Sequence, residues 1–190
     1  MQEAKKIKVF INGKAGSGKT YVAEYLEQRY GFVELTLADG IYDIAKEYFD
    51  MKDKDRKLLQ EIGQGLRKID PFVWIKYLKR TAALLLTIAP DKSIVVSDVR
   101  QENEYNSLKS DDYIAIRIDA DLDKRLERIA LRDGIEIDQD YIDRIENHES
   151  ELGASDKEYD YVINNNYSFE ELESQIDKIV GQIYDTGDKE

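Results

Sequence analysis

The chain has 190 residues, 42% of them hydrophobic, and carries a formal net charge of -12 at pH 7. A chain of this length and composition forms one domain with a core of its own, and disorder is not the default expectation. The negative balance argues against a nucleic-acid backbone as the main partner. Because the sequence contains no cysteine and one histidine, it excludes disulfides, thiolate metal sites and a multi-histidine metal centre within one chain.

No segment of the sequence has the pattern of a membrane anchor or a signal peptide. The longest near-apolar run, Ala82–Pro90, is far shorter than the ~20 residues that span a bilayer. Residues 1–6 lack the apolar stretch of a signal peptide. We therefore expect a soluble, cytoplasmic protein that binds neither nucleic acid nor membrane.

Short β-type runs alternate with helical stretches, which predicts an α/β fold with a parallel sheet. The first strand is expected over Ile7–Ile11, followed by a helix over Lys19–Tyr30 that Gly31 ends in the left-handed conformation. The next predicted elements are a strand over Phe32–Leu35, helices over Gly40–Phe49 and Arg56–Lys68, and a helix to about Leu86 that starts with Asp70 as N-cap and Pro71 as its first residue.

The second half of the chain contains the most strand-like run, Ser93–Ser97, whose continuous β-branched residues suit a strand buried on both faces. A capping box of Ser168 and Glu171 predicts a final helix that runs to about Tyr184. The elements expected between these two are a strand over Tyr113–Ile118, a helix over Asp121–Asp133 that ends at Gly134, and a strand over Tyr161–Ile163.

Residues 13–20 read Gly-Lys-Ala-Gly-Ser-Gly-Lys-Thr and match the phosphate-binding pattern G-x-x-x-x-G-K-[ST] in full. Glycines let the backbone curl so that successive N–H groups face phosphate oxygens, and the following helix presents its positive end to the same anion. We expect Lys19 to reach the β- and γ-phosphates of a nucleoside triphosphate and Thr20 to offer its hydroxyl to Mg²⁺. The predicted nucleotide-binding residues are Gly13, Ala15, Gly16, Ser17, Gly18, Lys19 and Thr20.

Phosphoryl transfer depends mainly on positioning and positive charge, so arginines at the ends of elements are candidates for the acceptor side. Arg100 follows the buried strand together with Asp98, at the edge where open α/β sheets bind ligands. Asp98 can hold a Mg²⁺ water shell, orient Arg100 or cap a helix. Arg67 ends a predicted helix, where a surface cation is the alternative interpretation.

Three further arginines, Arg125, Arg128 and Arg132, are spaced three and four residues apart and share one helix face. This pattern fits a lid that closes over the triphosphate, or a solvated stripe paired with nearby acids. Asp39 either caps the next helix or contacts an acceptor sugar. His148 has no partner that the sequence identifies, and a surface polar cluster is the simpler interpretation.

Several short stretches, taken together, resemble the phage-type deoxynucleoside monophosphate kinases. They occur in the order of that family, and the Asp-Val-Arg-x-x-Asn-Glu and Leu-Gln-x-Ile-Gly stretches are the most telling. The matching stretches are Gly13–Thr20, Leu37–Ile41, Leu59–Gly63 with Arg67, Trp74–Ile75, Ser97–Glu104, His148–Glu151 and Val162–Asn165.

The resemblance implies transfer of the γ-phosphate of ATP, with Mg²⁺, to a deoxynucleoside monophosphate. It implies a three-layer P-loop kinase fold, with a parallel five-stranded sheet, helices on both faces and a helical lid. A single domain would then contain an acceptor-binding helical region at about 39–87 and a lid at about 122–152, and a homodimer is compatible with the family. The implied residues are Lys19, Arg100 and Arg128 for catalysis, Arg125 for ATP, Asp39, Arg67, Trp74, Asp98 and Arg100 for the acceptor, and Thr20 and Asp98 for the metal.

The sequence departs from the family pattern near the expected acceptor pocket. Gly40-Ile41-Tyr42 stands where Pro-Leu-Lys is frequent, and Gln101 stands where Phe is common. These changes leave the base preference open. Two other functions also remain: a small-molecule kinase resembling dephospho-coenzyme A kinase, with Asp39 as the base for a hydroxyl acceptor, and a P-loop switch ATPase with no acceptor.

Overall fold

A computed structural model describes residues 6–146 and 157–186. Strands and helices alternate along most of this chain, as the hydrophobic pattern predicts. The strands are β1 (Lys8–Asn12), β2 (Val33–Leu35), β3 (Ile94–Val96), β4 (Ile114–Asp119) and β5 (Tyr161–Asn164). The helices are α1 (Lys19–Tyr30), α2 (Asp39–Phe49), α3 (Arg56–Ile69), α4 (Val73–Ile88), α5 (Glu102–Lys109), α6 (Leu122–Asp133), α7 (Gln139–Glu146) and α8 (Phe169–Thr186).

The five strands form one parallel sheet in the order β2-β3-β1-β4-β5. Alternate residues of the central strand face opposite layers, as strand geometry requires. Phe10 packs into a core cluster shared with α2 to α5, whereas Val9 and Ile11 pack into a second cluster shared with α1 and α8. Helices therefore cover both faces of the sheet, and the predicted three-layer α/β architecture with a parallel five-stranded sheet is confirmed.

Most predicted boundaries agree with the structure within one or two residues. Helix α1 has the predicted range, and Gly31 closes it at φ 70°. The capping box also forms, because Ser168 N donates to Glu171 Oε2 at 3.2 Å and Glu171 N donates to Ser168 Oγ at 3.3 Å.

The predicted start of α4 was wrong by two residues. Asp70 does not cap the helix: its side chain accepts a hydrogen bond from Phe72 N at 2.9 Å, and its carbonyl accepts one from Val73 N at 3.0 Å. A turn therefore precedes the helix, which begins at Val73. Helices α5 and α7 were not predicted, since each has eight residues and a short polar segment shows little periodicity.

All five strands point the same way, so the segments that follow them meet at one edge of the sheet. The predicted acceptor region, about 39–87, contains α2, α3 and α4, and the predicted lid contains α6 and α7. Residues 147–152 of that lid, including His148, lie outside the described residues. None of the helices described is long and apolar enough to cross a membrane.

Candidate active site

The loop between β1 and α1 is in steric contact with the segments around it. A Cβ at Gly16, where φ is 78°, would lie 2.5 Å from the carbonyl oxygen of Arg125. A Cβ at Gly18, where φ is 104°, would lie 2.4 Å from Asn165 Nδ2. Glycine is therefore required at both positions by backbone conformation and by space. Lys19 Nζ donates to the carbonyl oxygens of Gly13 and Lys14, which holds the amine at the loop.

A cavity of about 340 Å³ opens beside this loop and brings together predicted residues from three parts of the chain. Its wall contains Lys19 and the exposed residue Thr20, at the start of α1. Four cationic residues line this cavity: Lys19, Arg100, Arg128 and Arg132. Such a concentration of positive charge is unusual in a chain of net charge -12 and suits a polyphosphate, so we call this cavity the polyphosphate cavity. The lining residues are Ala15, Gly16, Gly18, Lys19, Thr20, Arg100, Arg128, Ile129 and Arg132.

Arg128 links the phosphate-binding loop to the segment after β5. Its Nη2 donates to the carbonyl oxygen of Asn165 at 2.9 Å, and its Nη1 lies 3.4 Å from the carbonyl oxygen of Gly16. The buried Asn165 in turn donates from Nδ2 to Ser17 O at 2.8 Å. Asn165 braces the loop although the sequence analysis gave it no role; its place after the last strand was the available signal.

Arg125 occupies a different position from the other two lid arginines. It is 3% exposed, and it donates to Ala15 O at 3.2 Å and to Glu146 Oε1 at 2.6 Å. Glu146 Oε2 also accepts from Lys14 Nζ at 2.8 Å. Burial alone would raise the pKa of Glu146, but the hydrogen bonds from Lys14 and Arg125 outweigh it and lower the pKa. Arg125 therefore joins α6 and α7 to the loop, and its contact with ATP stays a prediction.

A second cavity, of about 300 Å³, adjoins the first on the side of α3. Arg100 lines both cavities, so the two form one cleft. Within residues 6–146 and 157–186, the guanidinium of Arg100 makes no hydrogen bond or ion pair. The second cavity is lined by Leu37, Ala38, Ile41, Gln60, Gln64, Arg67, Asp98, Arg100, Gln101 and Glu104.

Asp98 holds the segment after β2 against the segment after β3. Its two carboxylate oxygens accept from Leu37 N at 2.8 Å and from Ala38 N at 2.9 Å. Burial raises the pKa of Asp98 to about 6, although these two hydrogen bonds act in the opposite direction. Because both oxygens serve the backbone, we expect any action of Asp98 on Mg²⁺ to pass through the metal's water shell.

Arg67 lines the second cavity, and its role on the acceptor side stays a prediction. It has an acidic partner that was not predicted from the sequence. Its Nη2 donates to Glu104 Oε1 at 3.1 Å, and Glu104 Oε2 accepts from the backbone N–H groups of Arg100 and Gln101 at 2.9 Å each. The sequence carries only a weak signal for this pair, because Glu104 and Arg67 are 37 residues apart.

Two predicted acceptor residues lie away from the cleft. Asp39 accepts from Thr36 N at 2.8 Å and from Thr36 Oγ1 at 2.7 Å, so it closes the turn that leads into α2. Trp74 is 2% exposed and donates from its indole Nε1 to Gly63 O at 3.1 Å. Neither residue lines the two cavities, so direct contact of Asp39 or Trp74 with a substrate stays a prediction that these contacts do not support.

The donor set fits Mg²⁺ that arrives with a polyphosphate. Among residues 6–146 and 157–186 no group of three or more His, Cys, Asp or Glu could hold a metal ion. Magnesium commonly takes one or two protein oxygens and completes its shell with phosphate oxygens and water. Thr20, exposed in the polyphosphate cavity, offers such an oxygen.

Comparison with known proteins places this geometry in a family. The family model described as "AAA domain" matches residues 9–153, and the chain belongs to that family. In sequence, the chain is 29% identical over 196 residues to a protein of Acanthamoeba polyphaga mimivirus named "Putative deoxynucleotide monophosphate kinase", covering 87% of this chain and 92% of the relative.

Solved structures share the fold at low sequence identity. TT1252 from Thermus thermophilus superposes with a TM-score of 0.63 at 19% identity, covering 93% of this chain and 97% of that one. Dephospho-CoA kinase from Campylobacter jejuni gives 0.58 at 20% identity, covering 96% and 100%. The chain therefore has the fold of P-loop kinases, and family and fold together support a phosphotransferase.

Proposed function

We propose that the protein transfers the γ-phosphate of ATP to a nucleoside monophosphate, with a deoxynucleoside monophosphate as the preferred acceptor. The observation that carries this proposal is the position of Arg100 in the wall of both cavities. The guanidinium of Arg100, which pairs with no described residue, can contact the transferring phosphoryl group and the acceptor phosphate together. The name of the mimivirus relative supports the acceptor class.

The donor is held by the phosphate-binding loop. The loop N–H groups and the positive end of α1 cradle its phosphates, and Lys19 neutralises charge on the β- and γ-phosphates. Thr20 would hold Mg²⁺ through its hydroxyl, and the ion would add positive charge beside the phosphates. Arg128 and Arg132 close the cavity from α6, which helps to exclude water that would otherwise hydrolyse ATP.

The acceptor phosphate lies between Arg67 and Arg100 in this proposal. One of its oxygens attacks the γ-phosphorus in line with the leaving oxygen, so that a new P–O bond forms while the bond to ADP breaks. The attacking oxygen is already anionic, so no general base is required. Asp39, the base that a hydroxyl acceptor would need, is engaged with Thr36 and lies off the described cavities, which disfavours that alternative.

The test is a panel of acceptors with Mg·ATP: the common deoxynucleoside and ribonucleoside monophosphates and dephospho-coenzyme A. ADP release and the phosphorylated product are both measured. We expect ADP release that depends on a monophosphate, with an equal amount of the matching diphosphate. Slow ADP release that no acceptor changes would refute the proposal and favour a switch ATPase, while turnover of dephospho-coenzyme A alone would favour a hydroxyl kinase.

A further inference from the structure

A buried carboxylate connects the two arginines of the second cavity. Glu104 lies in the first turn of α5, and its side chain is 3% exposed. One oxygen binds the guanidinium of Arg67, and the other binds the backbone N–H groups of Arg100 and Gln101. A single side chain therefore fixes the head group of one arginine and the backbone of the other.

A carboxylate is an unfavourable residue in a cavity meant for an anion, because it repels the anion and is costly to bury. Here its burial is compensated by three hydrogen-bond donors and by the positive end of α5. In return, Glu104 orients the guanidinium of Arg67 in the cavity. Glu104 accepts from one nitrogen of Arg67, and no other described residue accepts from that guanidinium. A guanidinium has five N–H donors, so the others stay available to a ligand.

We infer that Glu104 is a positioning residue that sets Arg67 and Arg100 for one phosphate group of the acceptor. The inference rests on the proposed function. The two oxygens of Glu104 have separable roles: Oε2 caps the helix, whereas Oε1 orients Arg67. A residue that only caps α5 would need the contacts of Oε2 with the backbone but not the contact of Oε1 with Arg67.

The variant Glu104→Gln separates these roles. Glutamine is accepted at this position of a capping box, so its amide oxygen can keep the backbone contacts, whereas its amide nitrogen cannot accept from Arg67. Glu102→Gln is the matched control, because Glu102 lies on the same helix, is 61% exposed and pairs with Lys157. Thermal midpoints verify that each variant is folded. If Glu104→Gln does not fold, Glu104→Asp, which keeps the charge on a shorter side chain, replaces it.

We expect Glu104→Gln to raise the KM of the monophosphate about tenfold or more, the loss typical of a charged hydrogen bond. The KM of ATP for Glu104→Gln, and both KM values for Glu102→Gln, should stay within about twofold of wild type. In an Arg67→Met background the same substitution should have little further effect, because its partner is gone. An unchanged acceptor KM, equal effects on both substrates, or full additivity with Arg67→Met would overturn the inference.

A binding measurement with inorganic phosphate tests this inference independently of the proposed function. The phosphate is titrated into protein saturated with Mg·ADP, so that the phosphate-binding loop is filled, and binding is compared between wild type and Glu104→Gln. Weaker binding by the variant supports the inference even if the wild type turns over no monophosphate, a result that would refute the proposed function alone. Equal binding, or no binding by the wild type, would overturn the inference.

Discussion

At the scale of single residues, the charged side chains of the cleft divide by what they bind. The guanidinium of Arg100 has no hydrogen-bond or ion-pair partner among the described residues, and that of Arg67 has one. The acids Asp98 and Glu104 instead hold backbone N–H groups of the loops that carry the cleft. Guanidinium donors of Arg100 and Arg67 are thus left for a ligand, whereas the two carboxylates hold the backbone of the cleft.

Lys19 gives the first prediction. Replacing it with alanine removes the cation from the polyphosphate cavity, and we expect turnover to fall at least about a hundredfold, the scale of losing one electrostatic contact to a transition state. Lys178→Ala, on the exposed face of α8, is the control and should keep wild-type rates. Steady-state rates with a monophosphate acceptor check this. Similar rates for both variants would remove Lys19 from the mechanism.

Asp98 gives a prediction for pH. Because burial raises its pKa from 3.8 to about 6, the folded state binds the proton more tightly than the unfolded state. The stability that Asp98 contributes is therefore present below pH 4, is lost as the pH rises to about 6, and then stays constant. The unfolding free energy of wild type minus that of Asp98→Asn should fall over this window.

Asp70→Asn serves as the control for that measurement. The hydrogen bonds from Lys76 and Phe72 N lower the pKa of Asp70. The unfolding free energy of wild type minus that of Asp70→Asn should therefore be nearly constant above pH 5. Denaturant titrations at a series of pH values from 4 to 8 supply both curves. A difference for Asp98 that rises with pH would show that the folded protein favours its charged form.

At the scale of elements, close packing between helices fixes the wall of the second cavity. Gly40 in α2 lies against α4, where an added Cβ would lie 2.8 Å from the ring of Tyr77. At Gly65 in α3, no described residue beyond the neighbouring turns of the same helix places an atom within 4 Å of such a Cβ. The two helical glycines therefore differ in the space around them.

This difference predicts opposite effects for the same substitution. We expect Gly40→Ala to lower the free energy of unfolding by about 1–3 kcal/mol, because it overpacks the contact with Tyr77. Gly65→Ala should raise it by about 0.5–1 kcal/mol, since alanine favours a helix interior over glycine. Denaturant titrations measure both values. Equal effects from the two substitutions would contradict the close contact between α2 and α4.

The sequence alone was sufficient to predict those features of the fold and the site that depend on residues close together in the chain. The glycine-lysine pattern of residues 13–20, the strand pattern before Asp98 and the capping box at Ser168 each depend on neighbours within a few residues. Glu104 and Asn165 were missed because they bind Arg67 and Ser17, which lie 37 and 148 residues away. The burial of Trp74 was not predicted for the same reason, since it depends on how α3 packs against α4.

At the scale of the whole molecule, the parallel sheet brings the cleft together. The segments after β1 and β3, with α6, form the polyphosphate cavity, and the segments after β2 and β3, with α3, form the second cavity. Arg100 stands between them because β3 lies between β1 and β2 in the sheet. The strand order therefore places the two cavities side by side, and the central claim of our proposal is that one holds a donor and the other an acceptor.

The most direct test of that claim follows the phosphorus atom itself. ATP labelled at the γ-phosphate is incubated with the protein, Mg²⁺ and a deoxynucleoside monophosphate, and the products are separated. The account predicts that the label appears in the β-phosphate of the new deoxynucleoside diphosphate. Label found only in inorganic phosphate, or on a sugar hydroxyl of the acceptor, would contradict it.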